Sequence, residues 1–333
     1  MVVKGLLKFR TNPTIAATGV VVGPLEKKSP FVSVFDKVLD DERSGQPTNE
    51  KGHAKLVEDA CMIALSKAGF VPDDADFLLI GDLVNQMTPS NFCASELQIP
   101  YVGMFSACAT SISSLLTAAL LTESGMSACS IAGASSQHNA VERQFRYPVE
   151  YGAQKPATAQ WTVTAAGVAA VTPNRTGFPA IVSGTIGRVI DLGMKDPFNM
   201  GAAMAPAAAD TLERHLNGHG RKAKHYDAII TGDLGKIGFE IYQKLIDKKK
   251  IETTNNLRDA GAEFYGDDAD FQAGASGTGC SAAIYFSDVY EKMMQGNYKR
   301  VLLIATGSLL SPLSFQQGDT IPCIAHAVEL EMK

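Results

Sequence analysis

The sequence of 333 residues is short of charge, and neither sign dominates. Asp, Glu, Lys and Arg make up 20% of it, and 30 basic against 35 acidic side chains leave a net charge of −5. Nucleic-acid binding requires a basic surface that such a chain lacks, so we expect no nucleic acid among its partners. The hydrophobic share of 45% is enough for a full core, which excludes a disordered chain.

The sequence also lacks the usual targeting signals. No long apolar stretch with a small-residue cleavage site opens it, which argues against a secretory leader. The 22 residues 101–122 carry no charge, but polar residues and glycine interrupt them. We therefore interpret them as a strand and a buried helix rather than a membrane span. The six cysteines form no CxxC pair, so we expect free thiols in a reducing compartment.

What the sequence does contain is a weak repeat of itself. Segments 76–83 and 227–234 both have the pattern of a strand that ends in Gly-Asp-Leu. Each is followed by a small-residue segment ending in a cysteine, Cys108 or Cys280, then by a helix with an uncharged start and a further strand. A period of this length is too long for a solenoid and indicates a duplicated domain.

The order of strands and helices predicts the fold class. Their alternation in each half indicates mostly parallel strands with helices on the faces of the sheet. The helix after each cysteine begins without charge, so both helices are expected to lie buried between two sheets. We predict an α/β fold, a duplicated five-layer α-β-α-β-α sandwich. Turn residues at 171–177 give the predicted division into halves of 1–172 and 173–333.

Cys108 is the first candidate functional residue. It follows the predicted strand and stands at the entrance of the first buried helix. The positive end of a helix lowers the pKa of a thiol and suits an anionic ligand. The local sequence leaves two interpretations open: a reactive or ligand-binding thiol, and a small buried cysteine that fills space.

Several motifs resemble known families. The duplication, the turn 106–111 and the segment 321–327 resemble thiolases and ketoacyl-ACP synthases, in which the first-half cysteine accepts the acyl group. Longer segments resemble the stage V sporulation protein AD family of spore-forming bacteria over most of the chain, from about residue 14 to 331. These segments are 142–156, 187–193 and 200–211.

The resemblance implies a binding protein. That family is understood to take up dipicolinic acid, free or as its calcium chelate, during spore formation, together with membrane-embedded stage V sporulation proteins. We therefore expect a peripheral protein on the cytoplasmic or core side of the spore inner membrane in the forespore. A homodimer is expected because condensing enzymes usually dimerise, and no cofactor is expected. The form of the ligand, acid or chelate, stays open, as does any metal.

The likeness to condensing enzymes is incomplete at the acid–base residues. Ketoacyl synthases carry a histidine in the loop that reads 231–235 here and an asparagine before the second buried helix, and this sequence has neither. The histidine that thiolases carry is also missing from 271–275. We therefore predict a pocket that binds without catalysis. The alternatives are an acyltransferase with Cys108 as nucleophile, and a scaffold whose pocket is vestigial.

A planar dianion such as dipicolinate needs N–H or cationic donors and a flat surface for its ring. A calcium chelate prefers oxygen ligands instead, for which Asp191 is a further candidate. For each basic residue, an ordinary ion pair is the alternative. The candidate ligand-binding residues, several of them chosen mainly because of the resemblance, are Cys108, His326, Asp82, Ser136, His138, Arg143, Arg146, Lys155, Arg188 and Cys323.

Overall fold

The structure is a computed structural model that describes residues 4–145 and 155–333. Its strands are β1 (Leu6–Lys8), β2 (Thr14–Val22), β3 (Lys37–Val38), β4 (Phe77–Gly81), β5 (Tyr101–Gly103), β6 (Ser130–Ser136), β7 (Trp161–Thr162), β8 (Ala165–Thr172), β9 (Pro179–Thr185), β10 (Ala228–Thr231), β11 (Leu257–Asp259), β12 (Ala275–Ser276), β13 (Arg300–Ser308) and β14 (Cys323–Met332). Its α-helices are α1 (Asn49–Ala68), α2 (Thr88–Leu97), α3 (Thr110–Glu123), α4 (His138–Phe145), α5 (Met200–His219), α6 (Gly235–Lys248), α7 (Ala260–Glu263), α8 (Thr278–Ile284), α9 (Tyr290–Met294) and α10 (Pro312–Gln316).

The strands repeat one arrangement twice. One group has the order β5-β4-β6-β8-β2 and the other the order β11-β10-β13-β14-β9. In each group the first three strands are parallel and the last two pairings are antiparallel. The groups meet at one residue pair, Thr14 of β2 and Ala180 of β9. The repeat that the sequence suggested is therefore present in the topology.

Residue alternation along the strands creates three apolar layers. Neighbouring residues of a strand point to opposite faces of the sheet. Leu79 packs in a central cluster, whereas Leu78 on the same strand packs in an outer one. Ile230 and Ile229 divide in the same way between the central cluster and a second outer cluster. Both faces of the two parallel regions are thus covered, as strands of this type require.

The helices fill the layers between and outside the sheets. Helix α3 contacts strands of both groups, and α8 packs beside it, where Ser111 Oγ and Ser281 Oγ lie 2.8 Å apart. Helices α1 and α5 cover the two outer faces. This confirms the predicted five-layer sandwich. The second central helix is less regular than expected, because a π-helical turn over Tyr285–Val289 separates α8 from α9.

The boundary between the halves is close to the turn residues that predicted it. Strand β8 continues to Thr172, and β9 begins at Pro179. The division into 1–172 and 173–333 stays a prediction. All six cysteines are free thiols, as predicted. Within 4–145 and 155–333, none of the helices combines the length and apolarity needed to span a bilayer.

Candidate ligand-binding site

Cys108 lies on a strained turn between β5 and α3. The helix begins at Thr110, two residues after the cysteine. Ala107 has a φ of 49°, a left-handed conformation that costs a non-glycine residue roughly 1–2 kcal/mol. The Thr110 hydroxyl holds this turn, because it accepts the Ser106 N–H at 3.0 Å and donates to the Ala107 carbonyl at 2.6 Å. Because these hydrogen bonds hold the turn in its strained conformation, they also fix the direction of the Cys108 side chain.

The second half of the chain presses directly on this turn. A Cβ atom built on Gly307 of β13 would lie 2.4 Å from the Ser106 carbonyl oxygen and 3.0 Å from the Ala109 nitrogen. Only glycine allows backbones to approach this closely. Cys108 is 8% exposed as a result, so the two halves together enclose the thiol.

The side chain of Asp233, an ionisable carboxyl group, contacts the Cys108 thiol. The two side chains are hydrogen bonded, and Asp233 also accepts the Thr306 hydroxyl at 2.9 Å and the Gly277 N–H at 3.0 Å. Burial raises the pKa of the Asp233 carboxyl to about 7, because the carboxylate loses its hydration, although the hydrogen bonds oppose this rise. Asp233 therefore exchanges its proton near neutral pH.

Sequence reasoning noted Asp233 in the Gly-Asp-Leu repeat and in the loop that lacks a histidine, but did not name it as a candidate site residue. The signal that could have found it is the repeated Gly-Asp-Leu motif of 81–83 and 232–234. An acidic residue kept at the carboxyl end of a parallel strand lies at the edge where such folds bind ligands.

His326 reaches the same turn from β14. Its Nδ1 accepts the Gly187 N–H at 3.1 Å, and its Nε2 lies 3.3 Å from Ser106 Oγ. A ring nitrogen that accepts an N–H carries no proton, so we assign the proton of the neutral ring to Nε2. Burial lowers the pKa of His326 to about 4. At neutral pH this imidazole is therefore a neutral hydrogen-bond donor directed at the Cys108 turn.

Cys323, the other candidate ligand-binding residue of β14, leaves the strand on the face opposite to His326. It lies three residues before His326 on an extended strand, and residues at odd spacing leave a strand on opposite faces. Its thiol packs in the outer cluster with Ala325 and Ala327. Burial raises the pKa of Cys323 to about 12, so the thiol stays protonated. Only His326 of this pair contacts the turn.

Ser136 connects β6 to the entrance of α8. Its hydroxyl accepts the Gly279 N–H at 3.1 Å and donates to the Val163 carbonyl at 2.8 Å. The Gly277 N–H of the same helix entrance is the one that Asp233 accepts. Ser136 and Asp233 thus hold the first turn of α8 from two sides.

His138 and Lys155 enclose the indole ring of Trp161. The imidazole stacks on it with ring centroids 4.1 Å apart, and the Lys155 ammonium lies 4.3 Å from its centroid. The same ammonium is 3.6 Å from the buried carboxylate of Glu142. A cavity of about 300 Å³ borders Lys155 and Trp161. Gln160 also lines it and donates to the Asp233 carbonyl at 2.7 Å, so the cavity adjoins the backbone of Asp233.

Two of the arginines predicted to bind the ligand form ion pairs with carboxylates of the protein instead. Arg143 pairs with Glu50, and Arg188 pairs with Asp210. The side chains of both arginines are exposed, at 39% and 63%. These are the ordinary surface pairs that we had kept as the alternative. Arg146 lies outside the described residues.

The predicted oxygen ligands also serve local structure. Asp82 accepts the Val84 N–H at 2.8 Å and both the N–H and the hydroxyl of Ser90. Asp191 accepts the Gly193 N–H and the Thr320 hydroxyl. Among the residues that the structure describes, no three His, Cys, Asp or Glu side chains cluster in a way that could hold a metal ion.

The fold is that of thiolase-like condensing enzymes. The 3-oxoacyl-[acyl-carrier-protein] synthase III of Aquifex aeolicus VF5 superposes with a TM-score of 0.58 at 14% identity, over 96% of this chain and 100% of that one. Cerulenin-bound OleA of Xanthomonas campestris superposes with a TM-score of 0.63 at 13% identity, over 99% and 100%. These likenesses define the fold class, an α/β thiolase-like sandwich.

Sequence relatives define the family. A model described as Stage V sporulation protein AD (SpoVAD) matches residues 4–331. Stage V sporulation protein AD of Bacillus subtilis (strain 168) is 43% identical over 317 residues, which cover 95% of this chain and 94% of the relative. The chain belongs to the stage V sporulation protein AD family, which confirms the resemblance found in the sequence and makes it a sporulation protein.

Proposed function

We propose that this protein binds dipicolinate, as the free acid or the calcium chelate, at the Cys108 turn, and does so without catalysis. Uptake of the ligand into the developing spore, at the inner membrane and with membrane-embedded stage V sporulation proteins as partners, belongs to the same proposal, as does a homodimer. Membership of the sporulation family supports the biological setting. The chemistry of the site supports the ligand class.

The observation that carries the proposal is the tautomer of His326. Because its Nδ1 accepts the Gly187 N–H, the nitrogen facing Ser106 and the Cys108 turn bears the proton. A nitrogen in this state donates a hydrogen bond and cannot remove a proton from a thiol. The Ser106 hydroxyl, the Cys108 thiol and protonated Asp233 are further donors. A cluster of donors suits a ligand rich in acceptors, such as a dicarboxylate.

The neighbouring cavity provides what an aromatic ring requires. Trp161 and Phe271 give the cavity an aromatic lining, and their rings meet edge-on at 5.7 Å between centroids. Lys155 adds a positive charge near the same rings. Flat apolar surface with a few polar groups is typical of sites for small aromatic ligands.

Isothermal titration of the protein with dipicolinate, with and without calcium, tests the proposal. We expect saturable binding that is weakened at least tenfold in Cys108→Ala. Cys61→Ala is the matched control, because Cys61 is fully buried in the outer cluster beside α2, and its loss should leave binding unchanged. Absence of saturable binding with either form of the ligand would reject the proposal. Normal dipicolinate content in spores carrying Cys108→Ala would favour a scaffold with a vestigial pocket.

One observation favours an acyltransferase as a second candidate. The hydrogen bond between Cys108 and Asp233 joins a thiol on a strained turn to a carboxyl group that can accept a proton. The fold relatives are themselves condensing enzymes. Incubation with acyl-CoA followed by intact-mass measurement separates the two functions. An acyl adduct that maps to Cys108 would establish the enzyme, whereas an unchanged mass is expected for the binding protein.

A further inference from the structure

Asp233 is a fully buried carboxyl group in a site proposed to take an anion. The carboxyl contacts the first turn of α8 through Gly277, β13 through Thr306 and the α3 entrance through Cys108. A bound carboxylate at the Cys108 turn would therefore face Asp233 at close range. Two negative charges enclosed together repel each other strongly, since little water screens them.

Among residues 4–145 and 155–333, the titratable groups that interact most strongly with Asp233 include no cation, and the Lys155 ammonium at the adjoining cavity pairs with Glu142. The titratable side chains that interact electrostatically with it are Asp259 from β11, Cys280 and Tyr285 from the second central helix, Cys108 from the α3 turn and Cys323 from β14. Each of these is neutral or becomes negative when it ionises. His326 on β14 is a neutral imidazole. An ionised Asp233 would thus meet an anionic ligand without a cation from any of these groups.

We propose that Asp233 makes ligand binding proton-coupled: the site takes up one proton on Asp233 for each anionic ligand that it binds. This inference rests on the proposed binding function and concerns its regulation by pH. Protonated Asp233 removes the repulsion and adds a hydrogen-bond donor to the site. In the free protein the carboxyl releases this proton near pH 7. Affinity should therefore fall about tenfold per pH unit at alkaline pH and level off below about pH 6.

Isothermal titration in pairs of buffers with different ionisation enthalpies measures the proton directly. We expect wild-type protein titrated with sodium dipicolinate to take up between about one half and one proton at pH 8, and close to none at pH 5.5. Small carboxylic acids ionise near pH 4, so the ligand itself contributes little in this range. No proton uptake at pH 8, with binding intact, would overturn the inference and leave the binding function standing. No binding at any pH would reject both.

Two variants sharpen the test. Asp233→Asn has nearly the same shape but no proton to exchange, so its affinity should be independent of pH between 6 and 9 and exceed that of the wild type at pH 8.5. Asp227→Asn is the matched control, because Asp227 precedes the same strand β10 and accepts the Lys299 and Arg300 N–H groups at its far end. It should keep the wild-type pH profile. A wild-type profile in Asp233→Asn would overturn the inference. If that variant does not fold, the buffer-pair measurement on the wild type decides alone.

Discussion

Asp82 and Asp233 hold the same position in the two repeats but bind different partners. Asp82 accepts hydrogen bonds from Val84 in the same loop and from Ser90 in the following helix α2. Asp233 instead accepts from Thr306 and from the Cys108 thiol of the other half. One copy of a duplicated motif thus stabilises its loop, and the other reaches across the molecule to the candidate site.

Cys108 should be the most reactive thiol of the native protein. It is 8% exposed, against 2% or less for each of the other five cysteines. Burial also raises the pKa of Cys129 to about 11 and of Cys323 to about 12. Because the thiolate is the reactive form, iodoacetamide should label Cys108 first. Peptide mass spectrometry after timed labelling measures this, and dipicolinate should slow it. Equal labelling of Cys323 would contradict the assignment.

Gly307→Ala should disrupt the turn that carries Cys108. The new Cβ would lie 2.4 Å from the Ser106 carbonyl oxygen, so the backbone must shift. We expect a loss of about 2–4 kcal/mol in the free energy of unfolding, together with loss of dipicolinate binding.

Gly125→Ala is the control for this variant. Its φ of 75° is strained for alanine, but open space surrounds it, so about 1 kcal/mol of the free energy of unfolding should be lost and binding should be kept. Urea denaturation and calorimetry provide the two readouts. Equal effects of the two variants would argue against a tight contact at Gly307.

Asp233 should also make stability depend on pH. Its pKa is raised from 3.8 to about 7 by burial, so the folded state holds a proton that the unfolded chain releases. The stabilisation is complete below pH 3.8 and is lost as pH rises through 7. Between pH 4 and pH 8 the wild type should therefore lose up to about 4 kcal/mol more stability than Asp233→Asn. Urea denaturation at several pH values measures this difference. Parallel curves for the two proteins would show that the carboxyl group does not titrate in this range.

His326 should not titrate at physiological pH. Burial lowers its pKa to about 4, and the Gly187 N–H fixes the tautomer. Nitrogen-15 NMR of the imidazole should therefore show a proton on Nε2 and unchanged shifts from pH 5.5 to 8. A protonated Nδ1, or a midpoint near 6.5, would remove the observation on which the binding function depends.

Arg143→Gln and Arg188→Gln should leave the site unaffected. Each arginine forms an exposed ion pair, with Glu50 and with Asp210, and such pairs contribute about 0–1 kcal/mol. We expect dipicolinate affinity within about twofold of the wild type by titration calorimetry. A tenfold loss of affinity in either variant would show that the arginine contributes to ligand binding.

The fold class could be predicted from the sequence because the fold repeats one arrangement of strands and helices twice. The continuous apolar run of segments such as 76–83 and the uncharged start of α3 indicate elements that are buried on all sides, and both features are local. The duplicated motifs then defined the two halves and their common topology. Cys108 could be found because its strand–turn–helix context is local as well.

The composition of the site was harder to predict because it depends on contacts between distant segments. Ser106 meets His326, and Cys108 meets Asp233, only when both halves fold together, and local sequence does not encode those distances. Positive charge and the family resemblance suggested Arg143 and Arg188, yet their ion-pair partners Glu50 and Asp210 are far away in the sequence. Cys323 and His326 are both candidates in the sequence, but their odd spacing on β14 directs them to opposite faces.

A crystal structure of the protein with dipicolinate is the most direct test of whether the Cys108 turn is the binding site. We expect a ligand carboxylate about 3 Å from His326 Nε2 and in contact with the Cys108 thiol, with no covalent bond to the sulfur. A ligand bound elsewhere, with the turn between Ser106 and Thr110 empty, would contradict the proposed function.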